Sequence, residues 1–306
     1  MDRVYVMQLV RSFQTGGLSR RKFLKQATLA LGSVASANAL LAACTPGSTD
    51  VPPVVEPTAG AGSLEPASDT ASETPEATPG VAAETIEFAG PQGTTLTGYL
   101  ARPTGGAAVP AVVLIQEWWG LNDHIKDVTR RLAAEGFVVL APDLYNGVVV
   151  TEPDEARKLV MELDMESAVS EIRAAIDHLQ TLDTVSGSKV AVMGFCMGGR
   201  LSLQTAIVED DLYAVVPYYG TPLTADQAPE VAAPLLGIYG EEDGGIPVSE
   251  VEAMGAALKE AGVTHEIHIY PGAQHAFFND TREAYNAEAA ADAWQRTLSW
   301  LRTHQE

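Results

Sequence analysis

The chain has 306 residues and a formal net charge of −21, from 19 Lys and Arg against 40 Asp and Glu. Such an excess of acidic residues argues against nucleic-acid binding, which needs a basic face, and against electrostatic adhesion to anionic lipid. The hydrophobic fraction of 46% is enough for a sizeable core. The two cysteines are too few to indicate a disulfide scaffold.

The N-terminal residues resemble an export signal. Residues 1–43 contain the pair Arg20-Arg21, followed by Phe-Leu-Lys and an apolar run rich in Ala. The run ends in Leu-Ala-Ala-Cys44, which resembles the lipobox of bacterial lipoproteins. We therefore expect twin-arginine export and a lipid on Cys44 as the only membrane anchor. The protein would then lie on the outer side of the cytoplasmic membrane or in the periplasm. The alternative is an ordinary amphipathic helix or a retained anchor.

The next stretch has the composition of a linker. Residues 45–83 contain no Lys, Arg, Phe, Trp or Tyr and are rich in Pro, Ala, Gly, Ser, Thr and Glu. Such a stretch buries too little apolar surface to offset its chain entropy. We therefore predict a disordered tether over 44–83 and one folded domain over 84–306.

The domain alternates strand-like and helix-like segments. Several predicted strands are apolar without alternation, as expected for strands buried on both faces of a parallel sheet. The pattern predicts an α/β fold with a mostly parallel central sheet, helices on both faces, and an antiparallel N-terminal edge hairpin around Gln92-Gly93. The predicted strands are 85–88, 95–102, 111–116, 138–144, 189–195, 214–219, 234–239 and 264–270. The predicted helices are 125–135, 165–182, 200–208, 249–261 and 282–303.

A candidate nucleophile follows the fifth predicted strand. The segment Gly194-Phe195-Cys196-Met197-Gly198-Gly199 has the form of a nucleophile elbow between a strand and a helix. The turn would expose Cys196 at a helix N-terminus, where unpaired backbone N–H groups favour negative charge. The alternative is a buried core cysteine beside a glycine-rich turn.

A nucleophile of this kind needs a base and an acid that orients it, in the chain order nucleophile, acid, base. Asp243 directly follows a predicted strand, and His275 directly follows the next one. Glu241 or Glu242 is the alternative acid. The other five histidines are expected on surfaces or in packing, and no side chains show metal-ligand spacing, so neither metal nor cofactor is expected.

Four segments in order resemble the dienelactone hydrolase family, and the likeness covers about 84–306. The resemblance implies an α/β-hydrolase fold and a Cys196–His275–Asp243 triad. It also implies an oxyanion hole formed by the backbone N–H groups of Met197 and Trp118, and a carboxylate, Glu117, that pairs with the resting thiol until substrate displaces it. The segments are Gln116-Glu117-Trp118-Trp119-Gly120, Ala141-Pro142-Asp143-Leu144-Tyr145, the elbow, and Gly272-Ala273-Gln274-His275-Ala276-Phe277.

The sequence departs from the family pattern in the substrate pocket, which the resemblance places around Tyr145, Asn146 and Asn279. Family members acting on dienelactones look to hold the substrate carboxylate with two arginines, and asparagines occupy both positions here. Arg282 lies nearby but out of register. We therefore expect neutral esters or lactones to be preferred over carboxylate-bearing ones.

These observations predict a monomeric carboxymethylenebutenolidase-like hydrolase of a small ester or lactone that works through an acyl-enzyme. The alternatives are a broad small-ester or thioester hydrolase on the same triad, and a non-catalytic binding lipoprotein that keeps the elbow as scaffold.

Overall fold

The computed structural model describes residues 78–305. The twin arginine, Cys44 and nearly all of the predicted tether lie outside the described residues. The first strand begins at Val81, inside the stretch that the sequence assigned to the tether.

Eight strands form one sheet in the order β1-β2-β4-β3-β5-β6-β7-β8. All eight correspond to predicted strands, with ends that differ by a few residues. Their bounds are β1 Val81–Ala89, β2 Thr95–Pro103, β3 Val109–Ile115, β4 Val138–Pro142, β5 Val185–Phe195, β6 Leu212–Tyr218, β7 Leu235–Gly240 and β8 His265–Tyr270.

The antiparallel part of the sheet is confined to its N-terminal edge. β1 and β2 pair as a hairpin, and β2 also runs antiparallel to β4. The hairpin turns at Gln92 and Gly93, both with positive φ, a conformation that glycine adopts without strain. Every other neighbouring pair of strands is parallel. The predicted fold class is therefore confirmed.

Six α-helices lie in residues 78–305. Five match predicted helices, whereas α2, a short surface helix in which only Ala156 of ten residues is buried, was not predicted. None of the helices in this part of the chain is long and apolar enough to span a membrane. The helices are α1 Asp123–Ala134, α2 Pro153–Glu162, α3 Met165–Gln180, α4 Met197–Val208, α5 Val248–Glu260 and α6 Ala287–His304.

The helices pack in two groups around the sheet. Arg131 of α1 lies over the ring of Trp294 in α6, while α3 packs against α4. The strands between these groups, such as 111–115 of β3 and 190–195 of β5, are buried along their length. The carboxyl ends of β3, β5, β7 and β8 therefore meet along one edge of the sheet, where open α/β sheets build their sites.

Candidate active site

Cys196 lies in the sharp turn between β5 and α4. Its backbone has φ 55° and ψ −113°, a strained conformation for a residue other than glycine. A Cβ on Gly194 would collide with the backbone of Gly198, and one on Gly198 would lie 2.5 Å from the carbonyl oxygen of Gln116. The two glycines therefore let β3, β5 and α4 approach closely enough to hold Cys196 in this turn.

His275 and Asp243 lie together beside this turn. The Nδ1 atom of His275 is 2.6 Å from Oδ2 of Asp243. The other carboxylate oxygen of Asp243 accepts the backbone N–H groups of Gly245 at 2.8 Å and Ile246 at 3.1 Å. The buried carboxylate is thus fixed by its own loop and can orient the imidazole.

These contacts change the pKa values of both groups. Burial lowers the pKa of His275, but hydrogen-bonding and charge interactions with Asp243 and Cys196 outweigh it and raise that pKa to about 10. Burial raises the pKa of Asp243, but the imidazole and the two backbone N–H groups outweigh it, so the pKa lies below its ordinary value. The arrangement therefore places a positively charged imidazole beside the sulfur of Cys196.

Two backbone N–H groups are available next to the sulfur. Among the described residues, neither Met197 nor Trp118 donates its backbone N–H to another group of the chain. Both residues line the cavity that contains Cys196. Free donors at the N-terminus of α4 and at the end of β3 match the requirement of an oxyanion hole.

The cavity has a volume of about 250 Å³. Part of its wall is apolar, and two of these residues come from the helices beyond β4: Val160 from α2 and Met165 from α3. Trp118, Met197 and Ile246 complete the apolar part. The polar part contains Cys196, His275, Tyr219, Thr221 and Arg200.

Glu117 lies at the end of β3, fully buried. Its carboxylate accepts the side-chain N–H of Asn279 at 2.6 Å and the hydroxyl of Tyr219 at 3.4 Å. Burial raises its pKa, against the lowering effects of His124, Asn279, His275 and Arg282. Cys196 is not among its hydrogen-bond partners in the described residues, so the pairing of Glu117 with the thiol that the family resemblance implied is not the arrangement seen here.

The three residues that the sequence placed in the pocket are not among those that line this cavity. The hydroxyl of Tyr145 points to the sulfur of Met197, at 3.2 Å, and its ring is buried. Asn146 is exposed in a turn with positive φ that Asp143 closes by accepting the N–H of Gly147 at 2.6 Å. Asn279 is buried against Glu117 because its amide supplies that carboxylate with a donor.

Two ionisable residues that line the cavity were given no role from the sequence. Tyr219, just after β6, places its ring centroid 5.0 Å from that of His275 and its hydroxyl against Glu117. Arg200 lies one helical turn beyond Cys196. Their signals were weak, because each was read only as the end of a predicted element.

The other candidates of the sequence analysis lie elsewhere. Arg282 covers the ring of Trp119, 3.7 Å from its centroid, and is not among the cavity-lining residues. Glu241 accepts the backbone N–H of Gly272, which leaves Asp243 as the carboxylate bonded to His275. Within residues 78–305, no three His, Cys, Asp or Glu side chains are grouped to hold a metal ion.

Comparisons with known proteins give one consistent result. The model of the dienelactone hydrolase family matches residues 96–305. A Synechocystis protein assigned as a carboxymethylenebutenolidase is 37% identical over 69% of this chain and 93% of its own. A protein with the same assignment from Escherichia coli K12 is 36% identical over 70% of this chain and 84% of its own.

Solved structures show the same family similarity. A crystal structure assigned as a dienelactone hydrolase, from Klebsiella pneumoniae, is 34% identical, covering 72% of this chain and 99% of that one, with a TM-score of 0.66. The dienelactone hydrolase-like promiscuous phosphotriesterase P91 from metagenomic libraries is 26% identical with a TM-score of 0.68, covering 74% and 99%. The chain therefore belongs to the dienelactone hydrolase family.

Proposed function

We propose that the protein hydrolyses a carboxylic ester or lactone through an acyl-enzyme on Cys196. Its family membership makes it a hydrolase of the lactone or ester type. The observation that supports the finer proposal is the 2.6 Å contact between His275 and Asp243 beside the strained turn that carries Cys196.

In the proposed reaction, His275 already holds the proton of the Cys196 thiol, and the thiolate sulfur attacks the carbonyl carbon of the substrate. The carbonyl electron pair moves to oxygen, where the N–H groups of Met197 and Trp118 stabilise the negative charge. Collapse of this intermediate breaks the bond to the alcohol oxygen, which receives the proton from His275. Water then attacks the thioester with His275 as base, and the carboxylic acid and the thiol are released.

Glu117 enters this proposal as the resting partner of the thiol. The state seen in the structure, with Glu117 bonded to Asn279 and Tyr219 and with His275 beside Cys196, suits the step in which the sulfur is ready to attack. We propose that a second state, with the carboxylate turned to the thiol, protects the sulfur before substrate binds.

The test is turnover of an activated neutral ester such as 4-nitrophenyl acetate by wild type, Cys196→Ala and His275→Ala. Both variants should lose at least about 10³-fold in kcat/KM, because each removes a group that the bond-making step requires. Wild-type enzyme should also show a burst and a mass increase of one acetyl group on Cys196. A Cys196→Ala variant with wild-type turnover would falsify the mechanism.

A binding lipoprotein without catalysis predicts no burst and no acyl adduct, so the same experiment separates the two functions. The matched control is Ser202→Ala in α4. Ser202 is a buried hydroxyl residue of the same helix that does not line the cavity. Its replacement should leave the burst amplitude unchanged.

We also propose that the protein is exported by the twin-arginine route and anchored by a lipid on Cys44. The support is the order of twin arginine, apolar run and lipobox in residues 1–44. A folded domain with a free nucleophilic cysteine suits a route that carries folded proteins.

A further inference from the structure

Arg200 places a positive charge on the wall of the cavity that holds Cys196. It lies one turn into α4, where its backbone N–H donates to the carbonyl oxygen of Cys196 at 3.0 Å. The residue is exposed and lines the cavity together with His275. The lining includes no Asp or Glu, so its ionisable side chains other than Cys196 and Tyr219 are the guanidinium and the imidazole.

The guanidinium of Arg200 also differs from most others in the described residues. Six arginines there pair with carboxylates, and Arg282 lies over Trp119. Within residues 78–305, Arg200 is in no salt bridge and makes no side-chain hydrogen bond, although 40 acidic residues are present in the chain. Its five N–H donors are thus open to a ligand that enters the cavity.

We propose that Arg200 binds a carboxylate on the substrate and is the specificity-determining residue for anionic esters or lactones. This inference rests on the proposed ester or lactone hydrolysis at Cys196. A guanidinium one helical turn from the attacking sulfur can hold an anionic substituent of the substrate while the scissile carbonyl meets Cys196. The planar fork of arginine matches a carboxylate with two parallel hydrogen bonds.

The proposal replaces the preference for neutral substrates expected from Asn146 and Asn279. That expectation considered only the two positions where the family resemblance places arginines. The structure shows that neither asparagine lines the cavity, whereas an arginine from another element does. The acidic residues of the described part of the chain, 78–305, lie outside the lining, where salt screens their effect on an approaching anion.

The first measurement compares two substrates of equal shape and different charge. These are 4-carboxymethylenebut-2-en-4-olide and its primary amide, with kcat/KM determined for wild type, Arg200→Gln and Arg200→Lys. Arg200→Gln should lower the ratio of acid to amide by about tenfold, with most of the change in KM, because a charge-assisted pair is lost. Arg200→Lys should give an intermediate ratio, because it keeps the charge and loses the fork.

The control variant is Arg302→Gln, which removes the same charge from an arginine of α6 that binds Glu135 and does not line the cavity. It should leave the ratio unchanged. If Arg302→Gln lowered the ratio as much as Arg200→Gln, only the net charge would matter, and the proposal would be overturned.

The second measurement needs no turnover. The rate of Cys196 alkylation is measured with anionic iodoacetate and neutral iodoacetamide, and their ratio is compared with that of free N-acetylcysteine. Wild-type protein should show a raised ratio, and Arg200→Gln should lower it about tenfold at low salt. The difference in salt dependence between the two reagents should decrease in the variant, where His275 is the cationic group that remains in the lining.

The two measurements separate the possible failures. If wild type hydrolyses neither lactone nor 4-nitrophenyl acetate but iodoacetate still reacts preferentially through Arg200, the proposed function fails and the anion site stands. If hydrolysis depends on Cys196 while both ratios are the same in wild type and Arg200→Gln, the proposed function stands and the assignment of Arg200 is wrong.

Discussion

At the scale of single residues, the structure raises the pKa of His275 well above its ordinary value. Its pKa of about 10 depends on interactions with Asp243 and with Cys196. We expect Cys196→Ala to lower the pKa of His275, because the hydrogen bond and the charge of the sulfur are both lost. Titration of the His275 ring protons by NMR measures the shift, and His304, remote from the cavity, serves as the internal reference. An unchanged His275 pKa would contradict the contact.

The same shift has a consequence for stability. The folded-state pKa of His275 lies above the ordinary value of 6.5, so protonation of this group stabilises the folded state. This stabilisation is fully present below about pH 6.5. The contribution should disappear as the pH rises through about 10. Asp243 acts in the opposite sense. Its lowered pKa stabilises the fold when the pH lies above the ordinary pKa of the carboxyl group, and this stabilisation is lost as the pH falls. His275→Gln should therefore flatten the loss of stability between pH 7 and 10, measured by urea unfolding.

Glu117 and Asn279 form the second residue-scale test. The 2.6 Å hydrogen bond to a fully buried carboxylate should be worth about 1.5–3 kcal/mol. Asn279→Ala should reduce the free energy of unfolding by at least that amount near neutral pH, and by much less in a Glu117→Gln background. The double-mutant cycle in urea isolates this coupling. Additive effects of the two substitutions would show that the pair is not coupled.

The sequence predicts those site residues whose position follows from a local sequence pattern. The spacing of Gly194 and Gly198 around Cys196 is itself the signal of the turn, and His275 and Asp243 follow predicted strands directly. It gave no role to Arg200 and no signal for the contact of Asn279 with Glu117, because the direction of a side chain from a helix or loop depends on tertiary packing. Asn279 was expected in the pocket and instead lies buried against Glu117.

At the scale of elements, the elbow is held by the close approach of β3, β5 and α4. A methyl group on Gly198 would meet the backbone carbonyl oxygens of Ile115 and Gln116, which cannot move independently of the sheet. We expect Gly198→Ala to destabilise the protein by about 1–3 kcal/mol and to reduce Cys196 reactivity. Gly244→Ala is the matched control, because no atom lies within 4 Å of its Cβ. Equal stability of the two variants in thermal unfolding would exclude the close approach.

The elements themselves were predicted to different degrees. Strands such as β3 and β5 can be recognised in the sequence as apolar runs without alternation, because both of their faces are covered. α2 was not predicted; it is a surface helix of only ten residues, one of which is buried. The start of β1 at Val81 was also missed, because Val81, Ala82 and Ala83 share their composition with the preceding residues.

At the scale of the whole molecule, the testable feature is the anchoring of the domain. Arg20→Lys combined with Arg21→Lys should leave the precursor in the cytoplasm, because the twin arginine is the recognised feature. Cys44→Ala should release exported protein from the membrane fraction, since the proposed lipid is lost. Fractionation with metabolic lipid labelling measures both. Cys196→Ala is the control for Cys44, and lipid labelling that persists in Cys44→Ala would contradict the proposal.

The wall of the cavity is divided between two kinds of structure. Cys196 and His275 come from turns at the ends of β5 and β8, whereas Val160 and Met165 come from α2 and α3. The turns tolerate few substitutions, but α2 is largely exposed and has few packing constraints. Evolution can therefore diversify the accepted substrates by mutating residues 148–165 while the chemistry stays fixed. A directed-evolution library confined to that segment would alter selectivity at little cost in foldability.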